Sequence, residues 1–240
     1  MPYYMTRIAV LCEGQTEHAF VQAVLCPYFE TQRAQVVPVI VSTSRGKGGA
    51  KRKGGYVSPF ELTKQLKSLC GCFDCVTMMF DYYAFPTDWP GIQTLPSLAK
   101  ERKAKIETVV ASQVGSGRFI PNLIMHEFEG ILFAKPDAIA ERCSENARDR
   151  EELTSHLSRI ANQFASPEDI NDSPETAPSK RILKLVPTYD KVSHGRTIAE
   201  KIGLAVLKSR CKCFSAWIER LEGVCRDHGG ESKQKPGGDV

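Results

Sequence analysis

Residues 7–20 read RIAVLCEGQTEHAF, and the change of character in the middle of this stretch sets the fold. An apolar, partly β-branched run of strand length ends at Cys12. It gives way at once to Glu13, a glycine, two polar residues and a second carboxylate, Glu17. Working outward, MTRIAVLC (5–12) and AQVVPVIVS (34–42) both read as strands. Between them, TEHAFVQAVLCPYFE places Ala19, Phe20, Ala23, Val24 and Phe29 at helical spacing. The three segments form a β-α-β unit.

The alternation continues downstream. A glycine-rich basic loop (44–55) precedes a short helix from about Pro59 to Leu69 and a third strand, CVTMMFDYY. A proline-rich loop (84–96) leads to the charged helix SLAKERKAKIETVVASQV, and RFIPNLIMHEF (118–128) reads as a fourth strand. Strands alternating with helices predict an α/β fold, a mostly parallel sheet with helices on both faces. After residue 135 every periodic segment is helical. In KCFSAWIERLEGVC, Phe214, Trp217, Ile218, Leu221 and Cys225 form one apolar stripe expected in the core. The expected division is a core at 1–135, a helical extension packing on it at 136–226, and a tail at 227–240 too poor in apolar residues to fold.

Composition narrows the options. The chain has 240 residues, 42% hydrophobic and 25% charged, enough to bury a core without staples. No apolar run approaches the ~20 residues that span a bilayer, and the N-terminus lacks a secretory pattern, so a cytoplasmic protein without membrane attachment is expected. Nine cysteines, several inside apolar periodic segments, read as reduced thiols. Cys70, Cys72, Cys75, Cys211 and Cys213 also invite a zinc reading, but Cys-x-Cys-x-x-Cys departs from the paired Cys-x-x-Cys of zinc ribbons. The formal charge of +4 is too modest to establish a nucleic-acid partner by bulk electrostatics.

Functional groups of an open parallel sheet gather beyond the carboxyl ends of its strands. Acids recur at three such ends: Glu13 with Glu17 after the first strand, Asp81 at the end of the third, and Glu127 with Glu129 at the end of the fourth. Carboxylates brought together repel one another unless a cation intervenes, and Mg²⁺ or Mn²⁺ prefers such oxygen ligands. Read alone, Glu17 also suits a helix N-terminus and Asp81 a turn.

At these residues the sequence resembles a known fold family. VLCEGQTE followed by MMFDYYAFP is similar to the Toprim domain, the Mg²⁺-binding fold of topoisomerases, bacterial primases and OLD-type nucleases. More closely, CEGQTEHAF, FDYYAFPTDWPG, RFIPNLIMHEFEGILF and TAPSKRI together resemble a bacterial family of Toprim-like proteins often associated with ATPases in phage-defence loci. The resemblance covers most of residues 5–225. It implies metal or acid–base work for Glu13, with Glu17, and metal ligation by Asp81 and by Glu129, with Glu127 a looser match. It also implies a lysine near the metal. That role is assigned to Lys180, with Arg181, Lys191 and His194 as neighbouring candidates. One departure stands out: Toprim domains commonly carry Asp-x-Asp after the third strand, where this chain has Tyr83, so one metal is as compatible as two unless Asp88 or Glu127 substitutes.

SRGKGGAKRKGGY places Arg45, Lys47, Lys51, Arg52 and Lys53 among five glycines, a loop suited to a nucleic-acid backbone without base specificity; Arg181 joins it as a backbone contact. No Gly-Lys-Ser/Thr opens a helix, so ATP hydrolysis by this chain is not expected. The resulting expectation is a Mg²⁺-dependent Toprim-type nuclease acting on DNA or RNA in phage defence, beside an ATPase subunit and with a second copy of itself as a further possible partner. The alternatives are a non-catalytic Toprim adaptor that binds an ATPase or nucleic acid and, last, nucleotidyl transfer as in primases.

Overall fold

The structure is a computed structural model that describes residues 5–42, 57–83, 85–86, 89–92, 96, 98–171 and 174–230. In chain order the strands are β1 (Thr6–Cys12), β2 (Ala34–Ile40), β3 (Cys75–Asp81), β4 (Phe119–Ile120) and β5 (Leu123–Ile124). The helices are α1 (Gln15–Phe20), α2 (Cys26–Glu30), α3 (Pro59–Cys70), α4 (Ala99–Val114), α5 (Glu129–Leu132), α6 (Pro136–Cys143), α7 (Ala147–Ala161), α8 (Pro178–Leu185), α9 (Ser193–Ile202), α10 (Leu204–Arg210) and α11 (Lys212–Gly230). A π-helical turn at Val21–Leu25 joins α1 to α2.

The fold is α/β, with a parallel sheet flanked by helices. Strand order is β2-β1-β3-β4, β5 also pairs with β3, and every pair among the described strands is parallel. Pro38 lies within β2, and β2 is an edge strand, where a missing N–H is tolerated. The expected fourth strand is present as two short pieces, and Pro121 is the reason: it has no N–H to give the ladder. Both pieces nevertheless keep one register, with Phe119 opposite Val76 and, four residues on, Leu123 opposite Phe80. In the gap, the Asn122 side-chain Nδ2 donates to Met78 O (3.3 Å), a side-chain bond where the backbone ladder lapses.

Alternate strand residues feed two cores, because side chains point to opposite faces of a sheet. Ile8, Val10, Cys12, Cys75 and Met79 face a cluster with Phe20, Phe29, Phe128, Ile198, Trp217 and Leu221. Ala9, Leu11, Val76, Met78 and Phe80 face one with Leu62, Leu66, Ile106, Val110 and Trp89. Sheet residues buried on both faces explain why β1 and β3 are near-continuous apolar runs. Cys70 and Cys75 fall in opposite clusters, and the described cysteines are free thiols. The predicted stripe of α11 is buried throughout, and α11 continues past Asp227 to Gly230. Trp217 Nε1 donates to the buried Thr77 Oγ1 (2.9 Å), so the indole both fills volume and satisfies a hydroxyl under the sheet. Trp217→Ala is expected to lower unfolding free energy by about 3–5 kcal/mol, as read from denaturant midpoints; an unchanged midpoint would mean that this helix contributes little to the core. No helix among the described residues is long and apolar enough to cross a membrane.

Candidate functional site

Parallel pairing brings the strand ends to one rim, and backbone hydrogen bonds hold each acid there. Glu13 follows β1 directly, and its N–H donates to Met79 O (3.1 Å). Its carboxylate reaches across to β3, where Glu13 Oε2 accepts the Asp81 N–H (3.1 Å). Gly14 is extended, so the chain turns into α1, and Glu17 Oε2 in the first helical turn accepts the Gly14 N–H (2.9 Å). Glu17 therefore caps the helix, and its charge acts on Asp81 at the rim.

On the other side, Asp81 Oδ1 accepts the Phe128 N–H (2.9 Å), which ties the end of β3 to the segment after β5. Phe128 is buried against Phe20, ring centroids 5.3 Å apart, so the anchor is rigid. Gly195 of α9 permits this approach: a Cβ there would lie 3.1 Å from Phe128 Cε1 and 3.3 Å from the Tyr189 hydroxyl. Glu127 Oε2 accepts the Ser179 N–H (3.0 Å) at the start of α8. TAPSKRI thus touches the site through backbone. The Lys180 side chain is exposed and makes no ion pair among the described residues. Arg181 is held nearby, its Nε donating to Thr176 O (2.6 Å) and its guanidinium lying over the Phe164 ring. The lysine at the acids is Lys191, whose Nζ lies 3.4 Å from Glu129 Oε2. Arg45, Lys47, Lys51, Arg52, Lys53 and Asp88 lie outside the described residues.

The electrostatics follow from burial. Glu129 is 1% exposed, and desolvation pushes its carboxyl up to about 7 despite Lys191. Burial also pushes Glu17 up to about 7, with the charge of Glu13 adding to it, and it raises Glu13. Asp81 is held well above the usual carboxylate range by burial and then by Glu17, Glu13, Glu129 and Glu127 in that order. Asp81 is thus the focus on which all four other acids act. Burial disfavours the Lys191 ammonium, but Glu129, Glu127 and Asp81 outweigh it and raise the lysine.

The set can be tested against the divalent ion that the resemblance implies. The donors are hard carboxylate oxygens, and each of the five acids commits one oxygen to a backbone N–H or to Lys191. Among the described residues Glu129 Oε1 is buried with no partner, and so is the Tyr189 hydroxyl, which feels the charge of Glu129. A buried carboxylate oxygen without a partner is costly and fits a missing cation or water. Among the described residues, however, no three Asp, Glu, His or Cys groups are close enough together to hold an ion as they stand. The residues fit Mg²⁺ or Mn²⁺ in donor type, and holding it would require side chains to draw in. Spacing alone could not single out Lys191, because the loop between α8 and α9 decides which cation meets Glu129.

The chain belongs to the DUF4276 family, a domain of unknown function, whose pattern matches residues 12–222. No curated protein matches it. Among solved structures it is similar to the C-terminal region of the Burkholderia pseudomallei OLD protein, at 17% identity and a TM-score of 0.44, over 95% of this chain and 100% of that one.

Proposed function

We propose that this DUF4276 protein is a divalent-metal-dependent phosphodiesterase of Toprim type that cleaves DNA or RNA, working with an ATPase partner in phage defence. The observation that carries the reading is the gathering of Glu13, Glu17, Glu127 and Glu129 around Asp81 at one sheet rim, with Lys191 beside them. The motif resemblance to Toprim supports the same chemistry. Glu13, Asp81 and Glu129 would hold the ion, helped by Glu17 and Glu127. Once bound, Mg²⁺ or Mn²⁺ supplies Lewis-acid polarisation of a phosphoryl oxygen and lowers the pKa of water. Without the ion, burial holds Glu17 and Glu129 near 7, and binding of a divalent cation would displace their protons. The Lys191 ammonium is placed to offset charge that develops on phosphate. The basic stretch at 45–53, with Lys180 and Arg181, is assigned to the nucleic-acid backbone.

The test is incubation of the full chain, alone and with its ATPase partner, with labelled single- and double-stranded DNA and RNA in Mg²⁺, Mn²⁺ or EDTA. Cleavage that needs the divalent ion and is lost in Glu13→Gln supports the reading; no cleavage under any condition rejects it. Lys191→Met is expected to lower turnover about 100-fold while leaving Mn²⁺ affinity unchanged or tighter, since it removes a competing positive charge. If metal affinity falls along with turnover, Lys191 is instead supporting the acids.

A second reading, an adaptor without catalysis, is favoured by Tyr83 in the Asp-x-Asp position and by the fact that no three of the described acids are close enough to share an ion as they stand. Calorimetric titration with Mn²⁺ separates the two readings. A binding signal abolished by Asp81→Ala fits the enzyme, and no binding signal in the unaltered protein fits the adaptor.

A further inference from the structure

Beside the acids stands a group of rings that the proposed chemistry does not use. Tyr82 and Tyr83 follow Asp81 directly, and His126 precedes Glu127. Tyr82 packs against the second core cluster, and its ring centroid lies 6.2 Å from His126, edge to face. His126 is 7% exposed and closes a triangle of rings, with the Tyr83 centroid 5.2 Å from His126 and 5.8 Å from Tyr82. Tyr83 is the outermost ring, 44% exposed.

The arrangement is fixed by one backbone and one side-chain hydrogen bond. His126 has φ of 62°, a left-handed conformation uncommon for a residue with a side chain. Two bonds hold it: Tyr83 N–H donates to His126 O (3.3 Å), and the Asn171 amide meets His126 Nδ1 (3.4 Å). Strained backbone that persists beside a candidate site is a sign of function. Here the strain aims an imidazole under a tyrosine and leaves the tyrosine facing solvent two residues from Asp81, within about 7 Å along the chain.

We propose that Tyr83, backed by His126, is a stacking platform for an unpaired nucleobase, so that the substrate is a single-stranded segment of nucleic acid lying across the acid rim. The inference rests on the phosphodiesterase reading for its substrate class and on the ring geometry for its strandedness. A base inside a duplex is stacked on both faces and cannot offer one to a side chain, whereas a single strand can. Aromatic stacking tolerates any base, so the platform would bind a strand without reading its sequence. A tyrosine in place of a second aspartate then exchanges a metal ligand for a substrate contact.

The experiment uses the full chain and single strands of DNA and of RNA carrying a fluorescent purine analogue, with the same sequences as duplexes, in buffer where Ca²⁺ replaces Mg²⁺ and the strands are verified intact. Binding to the unaltered protein should quench the analogue in the single strand. Tyr83→Ala should abolish the quenching and weaken single-strand binding about ten-fold or more, while Tyr83→Phe keeps both and duplex affinity is unmoved. Equal affinity of Tyr83→Ala and the unaltered protein for single strands, or no quenching with the unaltered protein, overturns the proposal. The second readout needs no variant to fold. Either sugar showing the effect supports the platform and identifies the preferred strand. Cleavage is scored separately. Quenching without divalent-dependent cleavage rejects the nuclease reading alone, and Asp81-dependent cleavage without quenching rejects the platform alone.

Discussion

Asp81→Asn is expected to reduce divalent-dependent cleavage about 1,000-fold, equivalent to about 4 kcal/mol of transition-state stabilisation, and at the same time to raise the melting temperature of the metal-free protein at pH 8. The two effects share one cause. Asp81 is held well above the usual carboxylate range by burial and by four neighbouring acids, so ionising it opposes folding at any pH where the unfolded chain carries the charge freely. Asparagine keeps an oxygen able to accept the Phe128 N–H, so the tie between β3 and the segment after β5 survives. What disappears is the charge. Sites that hold strain for function often become more stable when function is removed. Cleavage at the normal rate in the variant, or a lower melting temperature, would show that Asp81 is a structural acceptor and no ligand.

The second large effect is on stability against pH in EDTA. Glu129 moves from an ordinary 4.5 to about 7 in the folded protein. Below pH 4.5 both states are protonated and the group is silent. Between 4.5 and 7 the unfolded chain loses the proton while the folded one keeps it, so stability falls as pH rises, and the full penalty holds above 7. That shift corresponds to about 3 kcal/mol, or about 6–12 °C in melting temperature for a chain of this size. Glu17 acts with the same sign. Lys191, raised by its acidic neighbours, contributes stability that is lost only in strong alkali. His126, lowered by burial, acts with the opposite sign at acid pH. Glu129→Gln isolates the carboxylate: its melting temperature should fall less between pH 5 and pH 8 than that of the unaltered protein. Mg²⁺ at about 100 times its dissociation constant should restore about 2.7 kcal/mol to the unaltered protein at pH 8. Identical pH profiles for Glu129→Gln and the unaltered protein would remove the buried carboxylate from the account.

Much of the fold was legible because periodicity and burial are local in sequence. The run before Glu13 and the spacing of Phe20, Val24 and Phe29 each report one element and the face it buries. The split of the fourth strand was foreshadowed only by Pro121, and the bond that fills its gap, Asn122 to Met78, joins positions 44 residues apart. The α11 stripe was readable as core. That its tryptophan answers Thr77 was not, since the partners are 140 residues apart.

The same division runs through the candidate site. The sequence by itself determined which acids lie at strand ends, because a parallel sheet brings all its carboxyl ends to one rim whatever the loops do. Only the tertiary structure decided what surrounds them: that Asp81 is the acid on which the others act, that Ser179 meets Glu127 through its backbone, that Lys191 rather than Lys180 lies against Glu129, and that His126 turns under Tyr83. Strand ends are located by chain direction, which sequence records. Partners across a rim are set by how helices and loops pack over it, which depends on contacts summed over the whole chain.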